Sequence, residues 1–119
     1  MSDARYITTT TSIWIKTTFE AMHRWEDAPE EVFYLKDYHR HVFFVKLGKR
    51  VRVLDREIEF IQLKHKVNAF CDKTYDQKYL EDSCEMIAEN LLHVFDADYV
   101  EVSEDNENGA RVERQTPSC

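Results

Sequence analysis

Two one-sided helical stripes, flanked on both sides by β-rich runs, restrict the fold of this chain more than any other feature. Phe60, Leu63, Val67 and Phe70 fall at i, i+3, i+7 and i+10, the apolar stripe of an amphipathic helix. Cys84, Ile87, Ala88, Leu91 and Phe95 line one face of a second helix, and Asp82 with Glu85 three residues on forms a capping pair at its start. Cys71–Glu81 between the stripes is polar and has no period. Ahead of them, Tyr6–Phe19 is rich in Thr, Ile, Trp and Tyr and reads as a long strand, with the Thr8–Thr11 run suited to an edge. Glu20–Lys36 is acidic, contains Pro29 and reads as a loop; His39–Val53 reads as a second strand, interrupted or turned at Leu47–Arg50. Behind them, Tyr99–Ser103 alternates, Asp105–Gly109 is a turn, and Ala110–Glu113 is a short returning strand, with Arg114–Cys119 expected to fray. The order ββααββ predicts an α+β fold: a four-stranded antiparallel sheet with two helices on one face, in one domain spanning residues 1–119.

Within this frame three histidines stand out. His39 and His41 are separated by one residue, and on a strand residues i and i+2 point to the same face. The pair can hold one ion if Tyr38–Leu47 is extended, and His23 offers a third imidazole. Three histidines on zinc leave a fourth position open, the arrangement of a catalytic rather than a structural site. The same spacing is equally met by three unrelated surface or core histidines. His65 sits between two lysines and reads as a surface residue, and His93 lies where a helix C-terminal dipole favours it.

Composition excludes some classes. A net charge of −7 disfavours nucleic acid as a partner. No apolar run is long enough to span a membrane, and the N-terminus lacks the apolar stretch of a signal peptide. Cys71, Cys84 and Cys119 are an odd count without framework spacing, which suits a reducing cytoplasm better than a disulfide scaffold. Cys84 and Cys71 both fall where a helix packs, so core roles are expected for them.

Six segments in order carry a resemblance over roughly Ser12 to Val112. Phe19-Glu20-Ala21-Met22-His23, His39-Arg40-His41, Glu59-Phe60 with Leu63-Lys64, Asp76 to Leu80, Ser83 to Ala88, and Val100 to Glu104 are similar to the ordered motifs of the 6-pyruvoyl- and 6-carboxytetrahydropterin synthases, zinc enzymes of the tunnelling fold. The resemblance implies Zn²⁺ on His23, His39 and His41, a pterin ligand whose ring is anchored by Glu104, with Glu85 as a second ligand-contacting carboxylate, and a homo-oligomer, trimer or hexamer, joined edge to edge with the site between subunits. It implies lyase chemistry on 7,8-dihydroneopterin triphosphate, feeding a deazaguanine (queuosine-type) or biopterin-like pathway. Physically these roles are sound: a carboxylate accepts two hydrogen bonds from a 2-amino-4-oxo-pyrimidine ring, and Zn²⁺ lowers the pKa of an attached hydroxyl.

The chain also departs from that pattern. Leu35 stands where the family has a catalytic cysteine, Gln77 where it has a proton-relay histidine, and Arg40 where it has a glycine. Neither leucine nor glutamine transfers protons. Asp76 and Asp37 are the candidate replacements, with Tyr38, Asp27, Glu30 and Glu31 in the same loop. Two functions therefore follow: a zinc-dependent pterin-forming lyase, or a diverged protein of the same fold that binds a pterin or purine without the family's reaction.

Overall fold

The computed structural model describes residues 7–115. The elements run β1 (Thr11–His23), a 3-10 turn (Glu30–Lys36), β2 (His39–Val51), α1 (Phe60–Thr74), β3 (Tyr79–Leu80), α2 (Cys84–Val94), β4 (Tyr99–Glu104) and β5 (Asn108–Glu113). Tyr6 and Cys119, named above as a strand start and a terminal thiol, lie outside the described residues.

The sheet is mixed and five-stranded, in the order β3-β1-β2-β4-β5, which corrects the expected four antiparallel strands. The added strand is the two-residue β3, parallel to the end of β1. It has no sequence signal because backbone bonds create it: Met22 N–H donates to the Lys78 carbonyl and Arg24 N–H to the Leu80 carbonyl. Next to it, Gln77 N–H donates to the Glu20 carbonyl and an Asp76 carboxylate oxygen accepts the Glu20 N–H.

β1 and β2 pair along thirteen residues each, from Thr11 opposite Val51 to His23 opposite His39. β2 is therefore continuous through Leu47–Arg50, where a break was expected. Gly48 is the reason the run reads as a turn: the ring of Tyr99 lies across it, and an added Cβ would stand 2.1 Å from that ring. The glycine makes room for an aromatic on the neighbouring strand rather than for a bend. β1 starts later and ends later than predicted, so most of the threonine run precedes it.

One face of the sheet carries the core. Ile15, Phe19 and Ala21 of β1, Phe43, Val45 and Leu47 of β2, and Val100 and Val102 of β4 are buried there with both helices above them. From α1 come Leu63, Val67 and Cys71, and from α2 Cys84, Ile87, Ala88, Leu91 and Leu92. Phe60, placed on the first stripe by its spacing, is the opening residue of α1 and stays 52% exposed; the side chain of Cys71 completes the stripe instead. Both helices are capped by side chains. Glu59 accepts from Ile61 and Gln62 N–H, and Ser83, not the expected Asp82, accepts from Met86 N–H at 3.2 Å.

Turns at the far end are set by positive φ. Asp105 and Asn106 have φ of 55° and 60°, and Glu107 N–H bonds to the Glu104 carbonyl, a tight hairpin turn whose hand matches strand twist. Arg114 does not fray: its N–H bonds to the Asp98 carbonyl and its guanidinium reaches Asp96. Among the described residues no helix is long and apolar enough to cross a membrane.

Candidate metal centre

The period-2 alternation that buries the core also builds the site. Phe43, His41 and His39 follow one another on the same side of β2, and Phe19, Ala21 and His23 do so on β1. Toward this end the helices no longer cover the face, and imidazoles replace apolar side chains. Glu104, paired with Phe43 at the end of β4, joins them on the same side. Phe43 is the floor: it is fully buried, stacked on Phe19 at 4.9 Å, with the rings of His23 and His41 edge-on at 5.8 and 6.0 Å.

One ligating nitrogen from each of His23, His39 and His41 lies within 4.8 Å of the others. The ring protons are fixed by partners that can only accept. His39 Nδ1 is 2.8 Å from the Asp37 carbonyl, His41 Nδ1 is 2.6 Å from a carboxylate oxygen of Asp105, and His23 Nε2 is 2.8 Å from the Asp82 carbonyl. Each of these nitrogens donates, so in the neutral ring the lone pair is at His39 Nε2, His41 Nε2 and His23 Nδ1. His39 Nε2 is buried without any hydrogen-bond partner. An orphaned nitrogen costs about 1–3 kcal/mol unless something fills it. Three imidazoles with a ligating nitrogen each within 4.8 Å of the others suit a transition-metal ion, so the residues present fit the ion that the sequence suggested.

Acidic groups surround this nitrogen cluster. Glu104 Oε2 is 3.3 Å from His23 Nδ1 and 3.7 Å from His41 Nε2. Asp105 is held below the ordinary aspartate value, first by the hydrogen bond from Val42 N–H and then by His41. A cleft of about 430 Å³ opens beside the histidines, lined by His23, His39, Trp25, Leu35, Glu81, Glu85 and Glu104 among others. That volume falls within the usual range of small-molecule sites, about 300–1,000 Å³.

The sequence-predicted residues divide as follows. His23, His39, Glu104 and Glu85 come together at one cleft, and His41 clusters with the other two histidines without lining it. Asp37 and Asp76 do not line it: Asp37 contributes its backbone carbonyl to His39, and the Asp76 carboxylate is bound to the Glu20 backbone. Leu35 does line the cleft. Sequence reasoning missed Glu81, Trp25 and Asp105. It also gave Cys84 only a core role, whereas this buried thiol lines the cleft next to Ser83 and Glu85, pushed up to about 12 by burial and by Glu104 and Glu85. A sequence signal existed for Cys84 alone, since the first turn of α2 already carried the cleft residue Glu85.

No sequence-family model matches the chain, and no curated protein matches it. Solved structures do. The 6-pyruvoyl tetrahydropterin synthase of Caenorhabditis elegans superposes with a TM-score of 0.73 at 17% identity, over 90% of this chain and 97% of that one. An uncharacterised protein from Wolinella succinogenes superposes with a TM-score of 0.77 at 15% identity, over 91% of this chain and all of the other. At these identities the likeness is one of fold: the chain has the 6-pyruvoyl tetrahydropterin synthase fold.

Proposed function

We propose that this chain, acting as a single tunnelling-fold domain, holds Zn²⁺ on His23, His39 and His41 and uses it on the side chain of a pterin-type ligand, in a lyase-like reaction. The observation that carries the reading is the cluster of three imidazoles, with His39 Nε2 buried and unpartnered, beside a ligand-sized cleft that His23 and His39 line. The likeness to a 6-pyruvoyl tetrahydropterin synthase supports a pterin-type ligand, and the sequence resemblance makes 7,8-dihydroneopterin triphosphate the compound to try first. Bound Zn²⁺ would supply Lewis acidity toward vicinal oxygens of that side chain. Glu104 accepts hydrogen bonds from the ring, with Glu85 beside it. Among the described residues Glu81, Glu85 and Glu104 line the cleft, which supports them as proton-exchanging groups beside the sequence candidates Asp37 and Asp76.

A specific observation favours the second reading, a binder without the family's reaction. Leu35 lines the cleft at the position of the expected nucleophile, and Cys84, the one thiol among the described residues that lines it, is held protonated. Incubation of zinc-loaded protein with 7,8-dihydroneopterin triphosphate, with products identified by mass spectrometry, separates the two. A 6-carboxy- or 6-pyruvoyl product supports the lyase; tight binding with unchanged substrate supports the binder; neither binding nor turnover removes the pterin assignment.

Oligomerisation is part of the same proposal. β3 covers Met22 and His23 and the Asp76–Gln77 segment binds Glu20, so among the described residues β1 from Thr11 to Phe19 is an open edge, as is β5 at the other end of the sheet. Open edges of this length pair with something. A homo-oligomer joined through these edges, a trimer or hexamer, is expected in light scattering at micromolar concentration.

A further inference from the structure

We propose that Trp25, with Leu35 beside it, is the wall on which the ring of the ligand stacks, so that the cleft selects flat heteroaromatic rings over puckered ones. The inference rests on the pterin-type reading above and adds what recognises the faces of that ring. Carboxylates can read the ring's edge; they offer nothing to its faces.

The indole stands on a fixed backbone. Trp25 N–H donates to the Leu35 carbonyl at 2.7 Å, and the Trp25 carbonyl accepts the Ala28 N–H at 3.1 Å. Ala28 is buried, which ties the turn to the body of the protein. The side chain of Trp25 is nonetheless 48% exposed, and it lines the cleft. An indole turns about only two side-chain torsions, so it offers a large contact area at low cost in conformational entropy.

No other aromatic side chain is available for this contact. Histidines aside, Trp25 is the one aromatic residue among those described that lines the cleft. Phe43 is fully buried against His23 and His41. Tyr38 is engaged by Arg24 and Tyr79, and Phe33 lies against Tyr34. Leu35, bonded to Trp25 through the backbone and half-buried, extends the apolar wall. Glu81, Ser83, Glu85 and Glu104 supply polar lining. One apolar wall with a few polar groups suits a ring that is apolar on its faces and rich in N–H at its edge. Leu35 thereby has a use that needs no proton transfer. A puckered ring keeps the same edge but brings fewer atoms into contact with the wall, and dispersion falls off steeply with each small gap.

The test compares neopterin, whose ring is flat, with tetrahydroneopterin, which carries the same side chain and pyrimidine edge on a puckered ring. Affinities are measured by oxygen-free calorimetry for the parent, Trp25→Ala and Trp25→Phe, with light scattering on each protein. The parent is expected to bind neopterin at least about tenfold more tightly than the tetrahydro form. Trp25→Ala should lose roughly 10–100-fold in neopterin affinity, the range found for one stacked base, and with it the preference. Trp25→Phe should keep most of both, and all three proteins should have the same size in solution. Equal neopterin affinity in parent and Trp25→Ala, or no preference between the two rings in the parent, overturns the stacking and leaves the pterin reading standing. A loss of affinity in Trp25→Ala that comes with a smaller oligomer also overturns it and assigns the indole to a subunit interface. A parent that binds neither compound brings down the stacking and the pterin reading together.

Discussion

His41 Nδ1 and the carboxylate of Asp105 stand 2.6 Å apart, and the second oxygen of that carboxylate accepts the N–H of Val42, the residue next to His41. Asp105 thus grips one turn of β2 twice, and its own N–H donates to the Val42 carbonyl. The arrangement orients the imidazole and fixes its proton on the nitrogen facing away from the cluster. Asp105→Asn puts an amide donor where an acceptor is needed. Metal affinity is expected to fall about 10–100-fold, read by chelator competition, and nitrogen-15 NMR of the metal-free variant should show the His41 proton shifted toward Nε2. An unchanged tautomer with unchanged affinity would remove the orienting role.

Acid sensitivity is expected at the start of α1. Glu59 is held below the ordinary glutamate value, chiefly by the N–H of Ile61 and then of Gln62. A carboxylate whose folded value is depressed contributes stability that is fully present above its unfolded value, about 4.3, and lost as pH falls through the lower folded one. Thermal melts of the parent between pH 3 and 7 should therefore decline on the acid side more steeply than those of Glu59→Gln. Parallel curves for the two proteins would count against the cap.

Both described thiols should be slow to react. Burial, first of all, pushes Cys71 and Cys84 up to about 12, with neighbouring carboxylates adding to it. Since the thiolate is the reactive form, iodoacetamide at pH 8 should leave both unmodified in the native, metal-free protein and label both after unfolding. Peptide mass spectrometry reads the outcome; rapid native labelling of Cys84 would mean that the thiol is available to chemistry in the cleft.

Phe43→Ala should couple stability to metal binding. The ring is fully buried, stacks on Phe19 and supports the edges of His23 and His41. Truncation of a buried phenylalanine costs about 3–5 kcal/mol, measured by urea unfolding of metal-free protein, and the loss of the floor should also weaken zinc binding. Phe43→Leu should keep more of both. A variant that loses stability while zinc affinity stays at the parent value would separate the floor from the site.

The part of the architecture that hydrophobic period can encode was legible: two long strands, two one-sided helices, a closing hairpin. β3 was not, because Tyr79 and Leu80 pair through backbone groups that carry no side-chain signature. The turn expected at Leu47–Arg50 was misread because Gly48 accommodates the ring of Tyr99 rather than a bend, a tertiary reason for a residue with a strong local meaning. Of the site, the histidines and Glu104 were legible by spacing and resemblance. Asp105 was hidden because a turn residue with positive φ looks the same whether or not its carboxylate reaches a neighbouring strand. Within the single chain Asp37 holds His39 through its carbonyl and Asp76 clamps the Glu20 backbone, contacts that the positions of two titratable side chains could not announce.

The uninterrupted pairing of β1 with β2, from Thr11 opposite Val51 to His23 opposite His39, carries a consequence for quality control. A slip of one residue turns every side chain of a strand to the other face. Such a slip would expose Phe43, Val45 and Leu47 and at the same moment carry His39 and His41 away from His23. With the proposed ion on these three histidines, misaligned chains would be unable to hold it, and the metal content of a preparation would gauge how many molecules have zipped in the correct alignment.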